Sequence, residues 1–183
     1  MLKFYDVDIA YANFLRYFDS RVPQIKYNTY NKFVCGVVLK IDKYDYFVPI
    51  SSNISKQYTN MLIQDYNEKI IASIKFCFMF PVPPNLLKIK DFARIRQIDP
   101  TYADLLEKEL KFCQKNENKI LKKAQNIYRI GCNKKHVLNY SCFDFLLLQQ
   151  KYDELIEQTK KVLFDSIKLS PSPKSTTIDL GRW

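Results

Sequence analysis

The chain has 183 residues, of which 47% are hydrophobic and 26% charged, and this composition predicts one globular domain without a membrane-spanning segment. Its net charge of +10 indicates a polyanionic partner, most often nucleic acid, with a merely soluble basic protein as the plain alternative. Three glycines exclude a glycine-rich phosphate-binding loop, and a single histidine excludes a two-histidine acid–base mechanism.

The N-terminal half has the pattern of an antiparallel sheet. Residues 3–7 predict a strand, and residues 8–19 predict a helix capped by Asp6 or Asp8. Further strands are predicted from β-branched runs and alternating apolar residues at 33–41, 46–50, 61–66 and 69–80. The prolines of 81–84 end this regular structure. We therefore expect a bent antiparallel sheet or a half-open barrel.

The C-terminal half changes to a helical period. Asp99-Pro100 is typical of a helix start, and the apolar residues that follow recur every three or four positions. Asn116 and Asn118 weaken the middle of this stretch, which favours two helices over one. A last helix is predicted over about 141–167, with Leu163 among its inward residues.

These elements predict an α+β fold in a single domain, 1–168, with helices mostly in the C-terminal half. The segment 169–183 is rich in proline and serine and is expected to be a flexible tail. Five cysteines without a CxxC pair predict free thiols in a reducing cytoplasm. Cys132 and His136 supply two metal ligands with no others nearby, so we expect no metal site, and no other cofactor.

Basic residues concentrate in the predicted helices and just before them. Across 104–135 there are nine Lys or Arg against four Asp or Glu, and like charges four residues apart repel unless an anion lies on them. A solvated surface is the plain interpretation, and binding of RNA phosphates is the functional one. The predicted RNA-binding residues are Lys88, Lys90, Arg94, Arg96, Lys108, Lys111, Lys115, Lys119 and Lys122. Candidates for stacking on unpaired bases are Tyr27, Tyr30, Tyr58, Tyr66 and Tyr102.

A polar loop, SSNISK, follows the strand predicted at 46–50. It offers the hydroxyls of Ser51 and Ser52 and the amine of Lys56. The plain interpretation of such a serine pair is a loop cap. An acyl-transfer serine enzyme is disfavoured, because Asn53 stands where an S-x-x-K motif needs its serine and no G-x-S-x-G motif is present.

Chemistry on RNA is the remaining catalytic interpretation, because RNA carries its own nucleophile, the 2′-hydroxyl. The enzyme aligns that hydroxyl, stabilises charge on the phosphate and manages two protons, which hydroxyls and lysines can do. A hairpin over 33–50 would bring its two ends to one edge of the sheet. The side chains that could converge there on one phosphate are Tyr30, Lys32, Ser51, Ser52 and Lys56.

Four segments in chain order resemble the ToxN/AbiQ family of type III toxin–antitoxin toxins. FYDVDIAYANFLRYFDSRVP resembles the family's strand–helix–VP opening, and TYNKFVCGVVLKIDKYDYFVPISS its tyrosine–lysine loop, strand and serine loop. MFPVPPNLLKIKDF is similar to its PVP segment, and SCFDFLLLQQKYDEL to its C-terminal helix.

The resemblance assigns roles to individual residues of the two loops. The family's loop tyrosine and lysine fall on Tyr30 and Lys32, and its threonine–serine pair falls on Ser51 and Ser52. The family's next lysine stands closer to that pair than Lys56 does, because NIS is inserted here.

The resemblance implies a sequence-selective, metal-independent endoribonuclease toxin with a fold like that of the MazF/Kid toxins. Its inhibitor would be a small structured RNA made as tandem repeats, which the toxin cuts and then holds in a closed protein–RNA assembly. Release during phage infection would lead to cleavage of cellular or phage mRNA. The alternative that the residues leave open is a non-catalytic RNA- or DNA-binding module.

Overall fold

The computed structural model describes residues 1–25 and 35–169. Met1–Tyr152 forms one compact unit, and a second unit begins at Asp153. The predicted tail lies outside the described residues except for Leu169, and the single-domain boundary at residue 168 stays a prediction.

Within the described residues, seven strands form one antiparallel sheet. They are β1 (Phe4–Val7), β2 (Cys35–Ile41), β3 (Tyr44–Ser51), β4 (Asn60–Gln64), β5 (Ile70–Lys75), β6 (Phe80–Pro81) and β7 (Leu87–Ile89). The order across the sheet is β4-β5-β3-β2-β1-β7, and β6 also pairs with β3. The predicted antiparallel sheet is confirmed, and it is not closed into a barrel.

The β2–β3 hairpin sets the position of the serine loop. Its register runs from Ile41 opposite Tyr44 to Cys35 opposite Ile50, so the end of β3 lies beside the start of β2. The connection turns at Asp42, which has a φ of 53°. The prediction that the two ends of this hairpin meet at one edge is thereby confirmed for the described strand residues.

The prediction of a single strand over 69–80 is wrong for the second half of that range. β5 ends at Lys75, a 3-10 turn covers Phe76–Phe78, and β6 then pairs farther along the same strand, β3. Alternation alone could not show this break, because side chains on both sides of the segment are buried. Tertiary contacts decide it: the Phe143 backbone N–H donates to the Cys77 carbonyl at 2.9 Å, and the Phe78 and Phe143 rings lie 5.2 Å apart.

The proline-rich segment contains more strand than its composition predicts. Pro81 pairs opposite Tyr46 in β6, and β7 lies antiparallel to β1. A proline without an N–H is tolerated in so short a strand at the margin of a sheet. The expected break at 81–84 is therefore partial.

The described residues contain five α-helices, mostly in the C-terminal half as predicted. They are α1 (Ile9–Phe18), α2 (Phe92–Ile98), α3 (Pro100–Lys115), α4 (Glu117–Cys132) and α5 (Phe145–Leu169). The side chain of Asp8 caps α1, and that of Asp99 caps α3. Asn116 separates α3 from α4, which confirms the prediction of two helices.

Two expectations about the last helix are wrong. The helix begins at Phe145 rather than near Ser141, because Asn139–Ser141 forms a 3-10 turn. Leu163 is 60% exposed, although its spacing places it in line with the buried Leu148. The helical period selects a face but does not decide whether another element covers it.

The core of the first unit lies between the sheet and helices α3 and α4. Helix α3 packs on β4 and β5, and helix α4 packs on β2. Their inner residues include Leu106, Ile120 and Ile127, all almost fully buried. Along β5, Ala72 and Ile74 share one face of the sheet, and Ser73 and Lys75 share the other. The second face carries the polar groups of the site.

Candidate active site

The two serines at the end of β3 have different surroundings. Ser51 is the last residue of the strand and is 4% exposed, and its Oγ accepts the Asn53 backbone N–H at 3.2 Å. This contact is the loop cap that the plain interpretation of the pair predicted. Ser52 is exposed, so its hydroxyl is the accessible one of the two.

Two buried polar side chains hold the loop that follows. Ser73, opposite Ser51 in the sheet, donates through its Oγ to the Asn53 carbonyl at 2.5 Å. Asn60 donates through Nδ2 to the Ser55 carbonyl at 2.8 Å, and its Oδ1 accepts the Gln57 backbone N–H at 3.1 Å. The loop is therefore built onto β4 and β5 by its backbone, which leaves its outward side chains available.

Two lysines lie near this loop in contrasting environments. Lys56, which sequence analysis selected, is exposed. Lys75, which it did not select, is 3% exposed at the end of β5, and burial lowers the pKa of its amine. Lys75 lies directly opposite Asn60 in the β4–β5 pair.

Buried polar side chains are concentrated around the serine loop. Eight polar or charged side chains are buried among residues 1–25 and 35–169, and five of them surround the serine loop. These five are Ser51, Thr59, Asn60, Ser73 and Lys75. A domain core avoids such groups unless they are hydrogen-bonded or functional, so this cluster marks the site more sharply than the serine pair alone.

Tyr30 and Lys32 lie in the stretch 26–34, outside the described residues. The strand that follows them is described, and its first residue, Cys35, pairs with Ile50 next to Ser51. Their convergence with the serine loop thus stays a prediction.

Two exposed tyrosines connect the loop region to the basic helices. Lys123 of α4 lies over the ring of Tyr58 at 4.3 Å, and Asn126 donates to the Tyr58 hydroxyl at 3.3 Å. Lys108 of α3 lies over the ring of Tyr66 at 5.6 Å. These contacts place ring faces and lysine charges side by side, which suits a polynucleotide strand.

The predicted RNA-binding residues include cations that already pair with a carboxylate and cations that do not. Lys90 has a 7% exposed side chain and pairs with Asp6 at 2.7 Å, and Arg96 pairs with both Asp104 and Glu107. Those two cations are already neutralised within the fold. Exposed basic residues without a carboxylate partner among the described residues are Lys88, Arg94, Lys111, Lys115, Lys119 and Lys122.

Sequence analysis missed four polar residues of this site and one lysine beside it. Ser73 and Lys75 lie within the strand predicted over 69–80, Thr59 and Asn60 lie just before the strand predicted over 61–66, and Lys123 adjoins the predicted lysines. The sequence alone indicated that Lys75 is unusual, because it is a charged residue inside the apolar run IIASIKFCFMF. Only the pairing of β5 with β3 and β4 shows that it belongs beside the serine loop.

Metal ligands, cysteines and helix apolarity complete the description of residues 1–25 and 35–169. No cluster of three or more His, Cys, Asp or Glu suited to a metal ion lies among them. The five cysteines, all within the described residues, form no disulfide among themselves. Within 1–25 and 35–169, no helix combines the length and apolarity that a bilayer crossing requires.

Comparison with known families gives one match over most of the chain. The sequence profile described as "Toxin ToxN, type III toxin-antitoxin system" matches residues 3–153. Endoribonuclease ToxN of Bacillus thuringiensis subsp. kurstaki is 30% identical over 165 residues, which cover 85% of each protein.

Solved structures agree with this match. One, described as "New insights into the mechanism of bacterial Type III toxin-antitoxin systems: selective toxin inhibition by a non-coding RNA pseudoknot", superposes with a TM-score of 0.77 at 29% identity and covers 85% of this chain and 98% of that one. A second, "Structure and activity of AbiQ, a lactococcal anti-phage endoribonuclease belonging to the type-III toxin-antitoxin system", gives a TM-score of 0.72 over 86% of this chain and 99% of the other. At 20% identity the latter likeness shows the fold alone.

Proposed function

The chain belongs to the ToxN family of type III toxin–antitoxin toxins, and we propose on that basis that it is a sequence-selective endoribonuclease toxin. The observation that carries the proposal is the serine loop. The loop stands on a cluster of buried polar side chains and lies beside the basic helices. A non-catalytic nucleic-acid-binding module would need the basic surface but not the buried cluster.

The proposed reaction uses the substrate's own 2′-hydroxyl as nucleophile. The 2′-oxygen bonds to phosphorus and the bond to the 5′-oxygen breaks, leaving a 2′,3′-cyclic phosphate and a 5′-hydroxyl. One proton leaves the 2′-oxygen and one joins the 5′-oxygen, and positioned side chains in the loops exchange these protons. We propose that Tyr30, Lys32, Ser51, Ser52 and Lys56 form this group, with the Ser52 hydroxyl facing the phosphate and Ser51 shaping the loop.

The RNA strand is proposed to run from this loop across α4 and α3. The rings of Tyr58 and Tyr66 offer stacking surfaces there, and Lys108 and Lys123 lie against them. Lys119 precedes Lys123 by four residues and so lies on the same side of α4. Of the predicted basic residues, the exposed and unpaired ones are proposed to contact phosphates, whereas Lys90 and Arg96 serve the fold.

Regulation is proposed to follow the relatives. The structural relatives are described as a toxin inhibited by a non-coding RNA pseudoknot and as an anti-phage endoribonuclease. We propose that a small structured RNA, made as tandem repeats and cut by this toxin, occupies the same groove in a closed assembly. Release in the cytoplasm during phage infection would then allow cleavage of cellular or phage mRNA.

The finer fold assignment is likewise a proposal. The open antiparallel sheet, with α3 packed on β4 and β5 and α4 packed on β2, supports a relationship to the MazF/Kid toxins. Superposition on a MazF/Kid toxin tests it, and strands that match in a different order would contradict it.

The decisive experiment is incubation of the purified protein with total RNA in excess chelator. We expect discrete fragments that end in 2′,3′-cyclic phosphate and 5′-hydroxyl, at an undiminished rate. Intact RNA that is nonetheless retarded in a gel would favour the binding module. Cleavage that stops on chelation and returns with a divalent cation would refute the metal-independent mechanism.

A further inference from the structure

Lys75 is the most unusual charged residue of the described chain. It ends β5 with only 3% of its surface exposed, and no hydrogen bond or ion pair joins its amine to the described residues. The other well-buried lysine side chain, that of Lys90, has Asp6 at 2.7 Å. A buried charge without a counter-ion is costly, and folds rarely keep one without a role.

The amine of Lys75 nevertheless reaches solvent. Among the described residues, the Tyr46 hydroxyl is the one side-chain nitrogen or oxygen that is both sealed from solvent and without a hydrogen-bond partner. The unbonded Lys75 nitrogen is therefore not completely sealed from solvent, although only 3% of the residue is exposed. Such an amine is accessible to an anion.

The surroundings of Lys75 identify where that anion would lie. Ser73, two residues earlier on the same face of β5, is opposite Ser51 and holds the Asn53 carbonyl. Asn60, opposite Lys75, holds the Ser55 carbonyl. Directly paired residues in an antiparallel sheet have Cβ atoms about 5 Å apart. Lys75 thus lies between the two anchors of the serine loop.

We propose that Lys75 is a catalytic residue of this ribonuclease, whose ammonium group binds a non-bridging oxygen of the scissile phosphate from beneath the serine loop. The inference rests on the proposed ribonuclease activity. It adds to the proposed group a lysine that is buried in the sheet, whereas Lys56 is exposed on the loop. Preorganised charge of this kind stabilises the negative charge that develops as the 2′-oxygen attacks phosphorus.

The pH dependence of this role can be assigned to Lys75 itself. Burial lowers the pKa of its amine below the ordinary value of 10.5. The Cys77 thiol acts on it in the opposite direction, because a negative charge on that thiol raises the pKa of Lys75, and burial raises the pKa of the thiol itself. As the pH rises through the pKa of Lys75, the ammonium charge is lost and cleavage should slow.

The test compares Lys75→Met and Lys75→Arg with Lys69→Met, an exposed lysine just before β5. Single-turnover cleavage of one RNA is measured from pH 6 to pH 10, with protein-free controls for alkaline hydrolysis and a thermal melt of each variant. We expect Lys75→Met to lose about 10²- to 10³-fold in rate, as for removal of one preorganised donor. Lys75→Arg should keep a larger part of the rate, and its alkaline decline should begin at a higher pH than that of the wild type, because arginine does not deprotonate in this range.

Three outcomes separate the proposals. Wild-type protein that leaves every RNA intact overturns the ribonuclease function itself. Wild-type cleavage with Lys75→Met as active as Lys69→Met overturns only the role of Lys75. If Lys75→Met fails to fold, Lys75→Arg decides, and an alkaline decline identical to that of the wild type rejects the assignment.

Discussion

Glu109 is a buried carboxylic acid on the inner side of α3, and it should make the stability of the fold depend on pH. Its side chain is 5% exposed, and no ion pair reaches it from the described residues. Burial alone raises its pKa from 4.5 to about 7. Cys35, Cys113 and Tyr102 lie close enough that its charge raises their pKa values too.

The sign follows from proton linkage. Between pH 4.5 and about 7 the folded protein holds a proton on Glu109 that the unfolded chain has released, so the free energy of unfolding falls as the pH rises. Above about pH 7 the carboxylate is charged in both states and the full penalty is present. One pKa unit corresponds to about 1.4 kcal/mol, so a shift from 4.5 to about 7 gives a penalty of at most about 3.5 kcal/mol.

Glu109→Gln removes this penalty while keeping the shape of the side chain. We expect it to raise the free energy of unfolding by about 2–3 kcal/mol at pH 8, and the gain should shrink toward pH 5. Urea unfolding at several pH values measures this, with Glu157→Gln, an exposed glutamate on α5, as the control. A gain that is the same at every pH would refute the reasoning, because an uncharged effect of the amide has no such dependence.

Three further predictions concern the site and the sheet. Ser52→Ala should reduce RNA cleavage strongly while RNA binding persists, whereas Ser55→Ala, on the same exposed loop, should cleave normally. Equal cleavage rates for these two variants would show that the Ser52 hydroxyl is not catalytic. Gly36→Ala should lower the free energy of unfolding by about 1–3 kcal/mol, because its Cβ would lie 2.4 Å from the Val48 carbonyl oxygen; an unchanged urea midpoint would contradict this. Replacing three exposed lysines by glutamine should make the slope of log RNA affinity against log salt concentration shallower by about 0.7–0.9 per lost phosphate contact. Lys40→Gln, which removes a lysine paired with Asp45, should leave that slope unchanged. The three lysines are Lys111, Lys115 and Lys119.

The two interpretations of the serine pair, a loop cap and a catalytic hydroxyl, apply to different serines. The loop-cap interpretation holds for Ser51, which is buried and accepts the Asn53 N–H. The catalytic interpretation is available to Ser52, which is exposed on the same loop. Sequence analysis could not divide the roles, because the two serines are adjacent at the end of the same apolar strand and only the fold shows that one is buried and the other exposed.

Local sequence patterns were sufficient to predict much of the architecture. Capping aspartates, the Asp99-Pro100 start and the weak point at Asn116 specify helices through contacts within a few residues, so they could be read without the fold. The β2–β3 hairpin was likewise local, because its strands adjoin in sequence. The family resemblance rested on segments of this kind.

Only the tertiary structure decided how distant segments meet. The pairing of β5 with β3 and β4 brings Ser73, Lys75 and Asn60 under the serine loop, and the ion pair with Asp6 engages Lys90, one of the predicted RNA-binding residues, within the fold. The physical reason is that periodicity assigns a residue to a face, whereas burial, charge pairing and the shift of a lysine pKa depend on whatever lies opposite that face. For this protein the sequence by itself determined most of the elements and the family resemblance, and the register of the sheet decided that Lys75, rather than the exposed Lys56, is buried beside the serine loop.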